Sequence, residues 1–206
     1  MYKKIIKRGL DIVLSVLAII ILFPVFFVIS TIILCCMGRP ILFGQDRVGK
    51  DEKIFKLYKF RSMTNVTDQE GKLLPEEQRL TKLGIFLRST SLDELPELFC
   101  ILKGDMSFVG PRPLPDYYMP FYHNHERKRH SVRGGLIPPD GLSGKAIVSW
   151  EEQFKYEVDY VSNISFTLDI RIIFATFLIL VRRVKDSYGS EFRPHLNEYR
   201  QQTYNQ

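Results

Sequence analysis

Residues 12–37 read IVLSVLAIIILFPVFFVISTIILCCM, the longest apolar run of the chain, and none of them carries a charge. Because an α-helix rises about 1.5 Å per residue, this run exceeds the roughly 30 Å of a hydrocarbon core. It is too long for a cleavable signal peptide, and no small-residue cleavage pattern follows it. The sequence therefore predicts a membrane helix.

Basic residues flank this helix on both sides. They are Lys3, Lys4, Lys7 and Arg8 before it, and Arg39, Arg47, Lys50, Lys53 and Lys56 after it. Cytoplasmic flanks of membrane helices are enriched in lysine and arginine, so both ends are expected on the cytoplasmic side. A re-entrant helix that bends at Pro24 and returns through the same leaflet satisfies this, because proline removes an amide donor and kinks a helix. An ordinary span that tolerates its proline is the alternative.

Composition indicates a single basic domain in addition to the membrane segment. Of 206 residues, 29 are Lys or Arg and 23 are Asp or Glu, which gives a net charge of +6. Such a surface attracts anions, and phosphate groups are natural candidates. Cys35 and Cys36 lie inside the apolar run and Cys100 stands alone. The sequence thus has neither a disulfide framework nor a metal-ligand spacing, and the domain is expected in a reducing cytosol.

Beyond the apolar run, the pattern predicts short strands and several helices. Strand-like content occurs at 40–45 and 54–60. Helices are expected to start at Pro75 and to cover 81–87, 91–104, 117–130 and 149–161. Ser149 and Glu152 match a capping box at the start of the last one.

Four segments are less regular. Residues 110–113 predict a stiff loop, because Arg112 stands between two prolines. Residues 134–144 predict a glycine- and proline-rich loop, and the last dozen residues a loosely held tail. The apolar stretch 170–181 is too short to span a membrane, so it is expected on a membrane surface or in the core.

Ser91 and Glu94 lie at the start of the predicted helix 91–104. Their spacing matches a capping box, in which the two side chains accept hydrogen bonds from backbone amides. Acidic residues in a first helical turn are also stabilised by the helix dipole. Helix capping is therefore one interpretation of Asp93 and Glu94.

A phosphate site is the other interpretation. Its candidate cations are Lys59 and Arg61 on the second strand, Arg88 just upstream, and Arg112 in the stiff loop. An aspartate attacks phosphorus or holds a divalent metal, while arginines neutralise the transferring group. Mg²⁺ suits such hard oxygen ligands better than zinc. His123, His125 and His130 alternate with basic residues, which is typical of a solvated face rather than a metal site.

Four sequence blocks carry a resemblance to a known family. They are QDRVG at 45–49, KLYKFRSM at 56–63, RSTSLDELPEL at 88–98 and KGDMSFVGPRP at 103–113. In this order they resemble the signature blocks of the bacterial sugar transferases, the monotopic phosphoglycosyl transferases, and among them the small stand-alone members. Because the match runs across nearly the whole chain, helix capping is not a complete explanation of Asp93 and Glu94.

The resemblance implies a ping-pong reaction. Asp93 would attack the β-phosphate of a UDP-sugar, expel UMP and hold a covalent phosphosugar, which a polyprenol (undecaprenyl) phosphate then accepts. Glu94 would be the second catalytic residue, assisting in proton removal or metal placement. Lys59, Arg88 and Arg112 would bind substrate, and Asp93 would hold Mg²⁺. The product would begin the assembly of a polyprenol-linked glycan.

The resemblance also implies an organisation for the chain. A re-entrant membrane helix at 1–39, broken near Pro24, would precede a catalytic domain at 40–190 and a C-terminal tail at 191–206. The expected fold class is α+β, a mostly helical domain with a short sheet, plus the re-entrant helix and surface amphipathic helices. The catalytic domain would face the cytoplasm at the bacterial inner membrane. Expected partners are the UDP-sugar donor, the polyprenol phosphate acceptor and inner-membrane lipid, with no nucleic acid, and a homodimer is left open.

Two features depart from the family pattern. Phe23-Pro24 stands where the family commonly has Ser-Pro, so a hydroxyl that satisfies freed backbone groups is missing. Residues 133–144 differ from the family's Arg-Pro-Gly-(Ile/Leu)-Thr-Gly pattern, so the identity of the sugar is not carried over. Two rival interpretations are a membrane-tethered basic binding module for nucleic acid or anionic lipid, and a transferase without a covalent intermediate.

Overall fold

The computed structural model describes residues 2–145, 147–183 and 193–204. Its helices are α1 (Lys7–Met37), α2 (Glu76–Arg79), α3 (Lys82–Ser89), α4 (Glu97–Lys103), α5 (Trp150–Ser162), α6 (Phe166–Arg183) and α7 (Leu196–Tyr204). Its strands are β1 (Leu42–Val48), β2 (Ile54–Phe60), β3 (Met106–Val109) and β4 (Gly134–Ile137). This mostly helical arrangement with short strands confirms the predicted α+β class.

Helix α1 contains the apolar run and contacts the rest of the domain near both of its ends. It is long and apolar enough to cross a membrane. Near its start, Arg8 donates to two carbonyl oxygens at the end of α4, at 2.6 and 2.8 Å. At its other end, buried Arg61 donates to the carbonyl oxygens of residues 37–39. Pro24 lies inside α1 without interrupting it, and the re-entrant course stays a prediction.

Helix α4 is the centre of the core beside the candidate site. Its residues Leu98 and Ile101 are buried against Leu57 of β2 and Met106 of β3, and apolar residues of α1, such as Leu22, pack on the same cluster. Burying these side chains stabilises the domain by removing apolar area from water. Asp93 lies just before α4 in the chain. The packing of α4 therefore holds the residues around Asp93 in place, in the space between α1 and β2.

Two separate two-stranded sheets complete the domain. Strands β1 and β2, which overlap the two predicted strand segments, are antiparallel, whereas β3 and β4 are parallel. The prediction of a loop is therefore wrong for residues 134–137, which form β4. The reason is close backbone approach: a Cβ atom on Gly135 would lie 2.1 Å from the Gly110 nitrogen, so glycine permits the pairing.

Two helical predictions have different outcomes. The capping box of α5 is confirmed, because the Ser149 hydroxyl accepts a hydrogen bond from the Glu152 amide at 3.1 Å. The single helix predicted at 117–130 is wrong, since two 3₁₀ segments at 116–121 and 126–131 replace it. Pro120 has no amide donor and cannot continue a helix through this region.

The predicted apolar stretch 170–181 lies within α6, which has a buried and an exposed side. Ile172 is fully buried, whereas the Phe174 side chain is 62% exposed. The prediction of a loose tail is wrong for the described residues of α7, where Leu196 is fully buried against Tyr118 and Trp150. Apolar contacts with residues that are distant in sequence hold this segment in place.

Candidate active site

Asp93 and Glu94 lie in a single 3₁₀ turn, Leu92–Glu94, between α3 and α4. Ser91 precedes the turn in a left-handed conformation (φ 55°, ψ 18°), and its side chain caps nothing. Such a conformation is strained for a residue other than glycine. The capping-box interpretation is therefore wrong: α4 begins only at Glu97, and the Glu94 side chain has other partners.

Those partners are two of the three cations predicted to bind substrate. Glu94 Oε1 lies 2.6 Å from Lys59 Nζ and 3.1 Å from an Arg112 terminal nitrogen. Lys59 Nζ also lies 3.3 Å from Glu97 Oε1. The structure thus brings Lys59, Glu94 and Arg112 together. It adds Glu97, which the sequence analysis missed although the residue stands only three positions after Glu94.

The two glutamates that share Lys59 have opposite pKa shifts. Burial would raise the pKa of Glu94, but Arg112 and Lys59 outweigh burial and lower it. At Glu97, burial dominates, and Glu94 adds to it, so the pKa rises from 4.5 to about 7 in spite of Lys59. Glu94 is therefore the ionised partner of the cations, and Glu97 titrates near neutral pH.

Asp93 differs from both glutamates because its carboxylate is not paired. It is 8% exposed, and among the described residues it has no ion pair and no side-chain hydrogen bond, only a hydrogen bond from its own backbone amide. Burial raises the pKa of Asp93, Lys59 and Arg88 oppose that shift, and Glu94 reinforces it. The fold therefore places a buried, unpaired carboxylate in the field of several cations.

Arg88 projects from α3 and is held at one edge of its guanidinium group. Its Nε donates to the Ser62 hydroxyl at 3.0 Å. Its contact with Glu76, at 4.0 Å, is at the limit of an ion pair, and the Glu76 side chain is 69% exposed. The charge of Arg88 acts on Asp93 without a direct contact. Arg88 thus keeps donors for an anion beside Asp93.

Arg112 lies in the stiff loop that the sequence predicts, and the loop is also clamped from outside. The Arg112 amide donates to Glu157 Oε1 at 2.9 Å, and the Arg112 carbonyl accepts from Arg129 at 2.5 Å. Arg129 and Glu157 form an ion pair at 2.6 Å, and their side chains are at most 1% exposed. Glu94 foremost, against the effect of burial, raises the pKa of Arg112.

A cleft opens beside these residues. Its lining includes Arg47, Lys59, Glu94, Glu97, Arg112 and Leu136. Arg47 was not among the predicted site residues, although it stands in the QDRVG block. Its Nε is buried without a hydrogen-bond partner among the described residues. Burial, followed by the charge of Arg112, lowers the pKa of Arg47.

Mg²⁺ is the metal predicted for this site. Among the described residues, no group of three or more His, Cys, Asp or Glu side chains is arranged to hold a metal ion. Mg²⁺ often binds through one or two carboxylates together with phosphate oxygens of a substrate, and it keeps several waters. The carboxylate of Asp93, which has no ion-pair partner among the described residues, fits that mode of binding.

The sequence model of bacterial sugar transferases matches residues 2–183. The chain belongs to the bacterial sugar transferase family. This sugar transferase is 40% identical over 201 residues to the "Uncharacterized sugar transferase EpsL" of Bacillus subtilis, with 95% of each chain covered. As a member of this family, with relatives named as sugar phosphotransferases, it is a phosphoglycosyl transferase, an enzyme that transfers a substituted phosphate group, and not a non-catalytic binding module.

Two further relatives of the sugar transferase have more specific names. One is the UDP-N-acetylgalactosamine-undecaprenyl-phosphate N-acetylgalactosaminephosphotransferase of Aeromonas hydrophila, 36% identical over 197 residues. The other is the UDP-glucose:undecaprenyl-phosphate glucose-1-phosphate transferase of Klebsiella pneumoniae, 37% identical over 186 residues. The alignments cover 90% and 82% of this chain, but only 45% and 39% of those longer proteins.

Proposed function

We propose that the protein transfers a phosphosugar from a UDP-sugar to a polyprenol phosphate and releases UMP. The unpaired carboxylate of Asp93 among cations is the observation that carries this proposal. The names of the Aeromonas and Klebsiella relatives support the donor and acceptor classes. Because those names differ in the sugar, and because residues 133–144 depart from the family pattern, the proposal names no sugar.

The reaction has two displacements at one phosphorus atom. In the first, an Asp93 carboxylate oxygen bonds to the β-phosphorus of the donor, and the bond to the bridging oxygen breaks, so that its electron pair leaves with UMP. In the second, a phosphate oxygen of the polyprenol phosphate bonds to the same phosphorus. The bond to Asp93 breaks, the carboxylate is restored, and a polyprenol diphosphate sugar is released.

The surrounding charges have separate tasks. Lys59, Arg88 and Arg112 neutralise the phosphate oxygens, whose charge must be held during transfer. The low pKa of Glu94 makes it a weak base. We therefore assign Glu94 to orienting Lys59 and Arg112 rather than to removing a proton. Mg²⁺, held by one oxygen of Asp93, would supply further charge neutralisation at the donor pyrophosphate.

The membrane arrangement is part of the proposal. Contacts of both ends of α1 with the same domain support a helix whose two flanks lie on the cytoplasmic side. Exposed apolar side chains of α1 and α6, such as Phe27 and Phe174, would then contact lipid of the bacterial inner membrane. A shallow site at this surface lets a soluble donor and a lipid acceptor bind in turn.

Labelling tests this arrangement. With Cys35, Cys36 and Cys100 replaced by serine, single cysteines at Lys3 and Lys50 should both react with an impermeant maleimide only in inside-out vesicles. Labelling of the two positions from opposite sides would establish a span and refute the re-entrant helix.

The chemical proposal is tested by measuring UMP release from a panel of UDP-sugars with Mg²⁺ and without acceptor. Asp93→Asn should abolish release, whereas Asp159→Asn, which removes an exposed carboxylate of α5, should not change it. UMP release that requires the polyprenol phosphate would favour direct transfer in a ternary complex. Unchanged release by Asp93→Asn would refute the role of Asp93.

A further inference from the structure

Arg193 precedes α7 and lies outside the residues 2–183 that match the family. We propose that Arg193 is a positioning residue for Arg112, acting through the hydrogen-bonded side chains of Gln153 and Glu157. The inference rests on the proposed function, because it makes this C-terminal segment part of the machinery that binds the donor phosphates.

The first step is that Arg193 itself is held firmly. Its guanidinium carbon lies 3.6 Å from the centre of the Trp150 ring, which is a close cation–π contact. One terminal nitrogen donates to the Val148 carbonyl oxygen and to Gln153 Oε1, each at 2.9 Å. The Trp150 indole in turn donates to the Pro194 carbonyl oxygen at 3.0 Å. Arg193 therefore presents a fixed donor to Gln153.

The second step is that Arg193 determines the orientation of the Gln153 amide. An amide side chain has one accepting end and one donating end. Because the oxygen of Gln153 accepts from Arg193, its nitrogen is directed to Glu157 Oε1, at 3.0 Å. Gln153 and Glu157 are at most 1% exposed, so water does not substitute for either contact.

The third step leads to the Arg112 loop. The same Glu157 Oε1 accepts the Arg112 amide at 2.9 Å, and Glu157 Oε2 accepts from Arg129 at 2.6 Å. If Gln153 loses its orientation, Glu157 Oε1 loses a donor, and the carboxylate rotates toward whatever donor remains. The backbone amide of Arg112 then loses its fixed hydrogen-bond acceptor. The Arg112 guanidinium, which lies 3.1 Å from Glu94 Oε1, moves as a result. Such displacements weaken phosphate binding because the site is no longer preorganised.

The same segment offers a matched control. Arg200 of α7 donates to Glu126 at 2.5 Å and to Glu151 at 3.3 Å. It therefore anchors the segment without contacting Gln153 or Glu157. Arg200→Ala removes anchoring alone, whereas Gln153→Leu breaks the hydrogen-bonded connection and leaves the anchoring contacts of Trp150 and Leu196 in place.

The first test is kinetic, with the full chain, a saturating polyprenol phosphate and varied UDP-sugar. Arg193→Ala and Gln153→Leu should raise the donor KM about three- to tenfold, the size expected for coupling within one hydrogen-bond network. Neither should raise KM further in an Arg112→Ala background, and Arg193→Lys should recover part of the loss. Arg200→Ala should lower Tm and leave the donor KM unchanged.

The second test needs no activity. Pro111 and Pro113 have no amide hydrogen, so the backbone hydrogen exchange of residues 110–113, obtained from overlapping peptides, reports on Gly110 and Arg112 alone. This exchange should be faster in Arg193→Ala and Gln153→Leu than in Arg200→Ala.

Equal effects of Arg193→Ala and Arg200→Ala on KM and exchange, or additive effects in the Arg112→Ala background, would overturn the inference. If Arg193→Ala does not fold, Gln153→Leu decides by the same criteria. Failure of the proposed function has a different signature, because the wild-type protein would then release no UMP from any donor.

Discussion

The Asp93 turn and the Arg112 loop serve the same candidate site, but they are built in opposite ways. Asp93 lies two positions after a strained residue, Ser91, and no side chain of the described residues pairs with its carboxylate. Arg112 is fixed at its amide, its carbonyl and its guanidinium by Glu157, Arg129 and Glu94. A group that must form and break a bond is left unpaired, whereas a group that must hold charge in place is paired beforehand.

Breaking the buried Arg129–Glu157 ion pair, which holds the Arg112 loop, should have the largest effect on stability. Arg129→Met keeps the volume but leaves the buried Glu157 carboxylate without its ion-pair partner, which should cost about 3–5 kcal/mol of the free energy of unfolding. Urea unfolding measures this. Arg127→Met is the control, because Arg127 pairs with Glu52 at the surface and should contribute at most about 1 kcal/mol. Equal losses of unfolding free energy in the two variants would mean that the buried ion pair stabilises the fold no more than the surface ion pair.

Glu97 lies close to both the Asp93 turn and the Arg112 loop, because it shares Lys59 with Glu94, which pairs with Arg112. Its folded-state pKa is raised from 4.5 to about 7, so between these values the folded protein holds a proton that the unfolded chain has released. The free energy of unfolding should therefore fall as pH rises from about 4.5 to about 7, by at most about 3 kcal/mol.

Glu97→Gln should remove this pH dependence and raise stability at pH 8 relative to the wild type, with little change at pH 4.5. Denaturant unfolding at several pH values measures the slope. Glu77→Gln, which changes an exposed glutamate of α2, should leave the slope as it is. A slope that persists in Glu97→Gln would assign the titration to another group.

The smallest expected effect concerns strain in the Asp93 turn. Ser91→Gly relieves the left-handed conformation, and part of this gain is offset by the larger entropy of the unfolded chain, so stability should rise by at most about 1 kcal/mol. Ser89→Gly, in the helical conformation of α3, should lower it by up to about 1 kcal/mol. Calorimetric Tm values compare the two variants. A lower Tm for Ser91→Gly would show that Ser91 is not strained.

Much of the fold was predictable, because its signals are local. The apolar run, the two strand-forming stretches and the capping box at Ser149 each follow from neighbouring residues. The parallel pairing of β4 and the docking of α7 depend on contacts between distant parts of the chain, namely the approach of Gly135 to Gly110 and the burial of Leu196. Neither contact leaves a local pattern.

In the candidate site, too, some residues could be predicted from the sequence and others only from the folded structure. The family blocks predicted Asp93, Glu94, Lys59, Arg88 and Arg112 as site residues, and the structure pairs Glu94 with two of these cations. The capping-box interpretation failed because Lys59 and Arg112, both distant along the chain, compete successfully for Glu94. Arg47 and Glu97 were missed because only the folded cleft brings them beside these residues.

Intact-protein and peptide mass spectrometry of the wild-type enzyme, quenched after mixing with Mg²⁺ and an accepted UDP-sugar but no polyprenol phosphate, tests the central claim most directly. The account predicts stoichiometric UMP and a phosphosugar adduct on Asp93 that disappears when the polyprenol phosphate is added. Turnover to the lipid product with no adduct on Asp93 at any time, or an adduct that persists in Asp93→Asn, would contradict it.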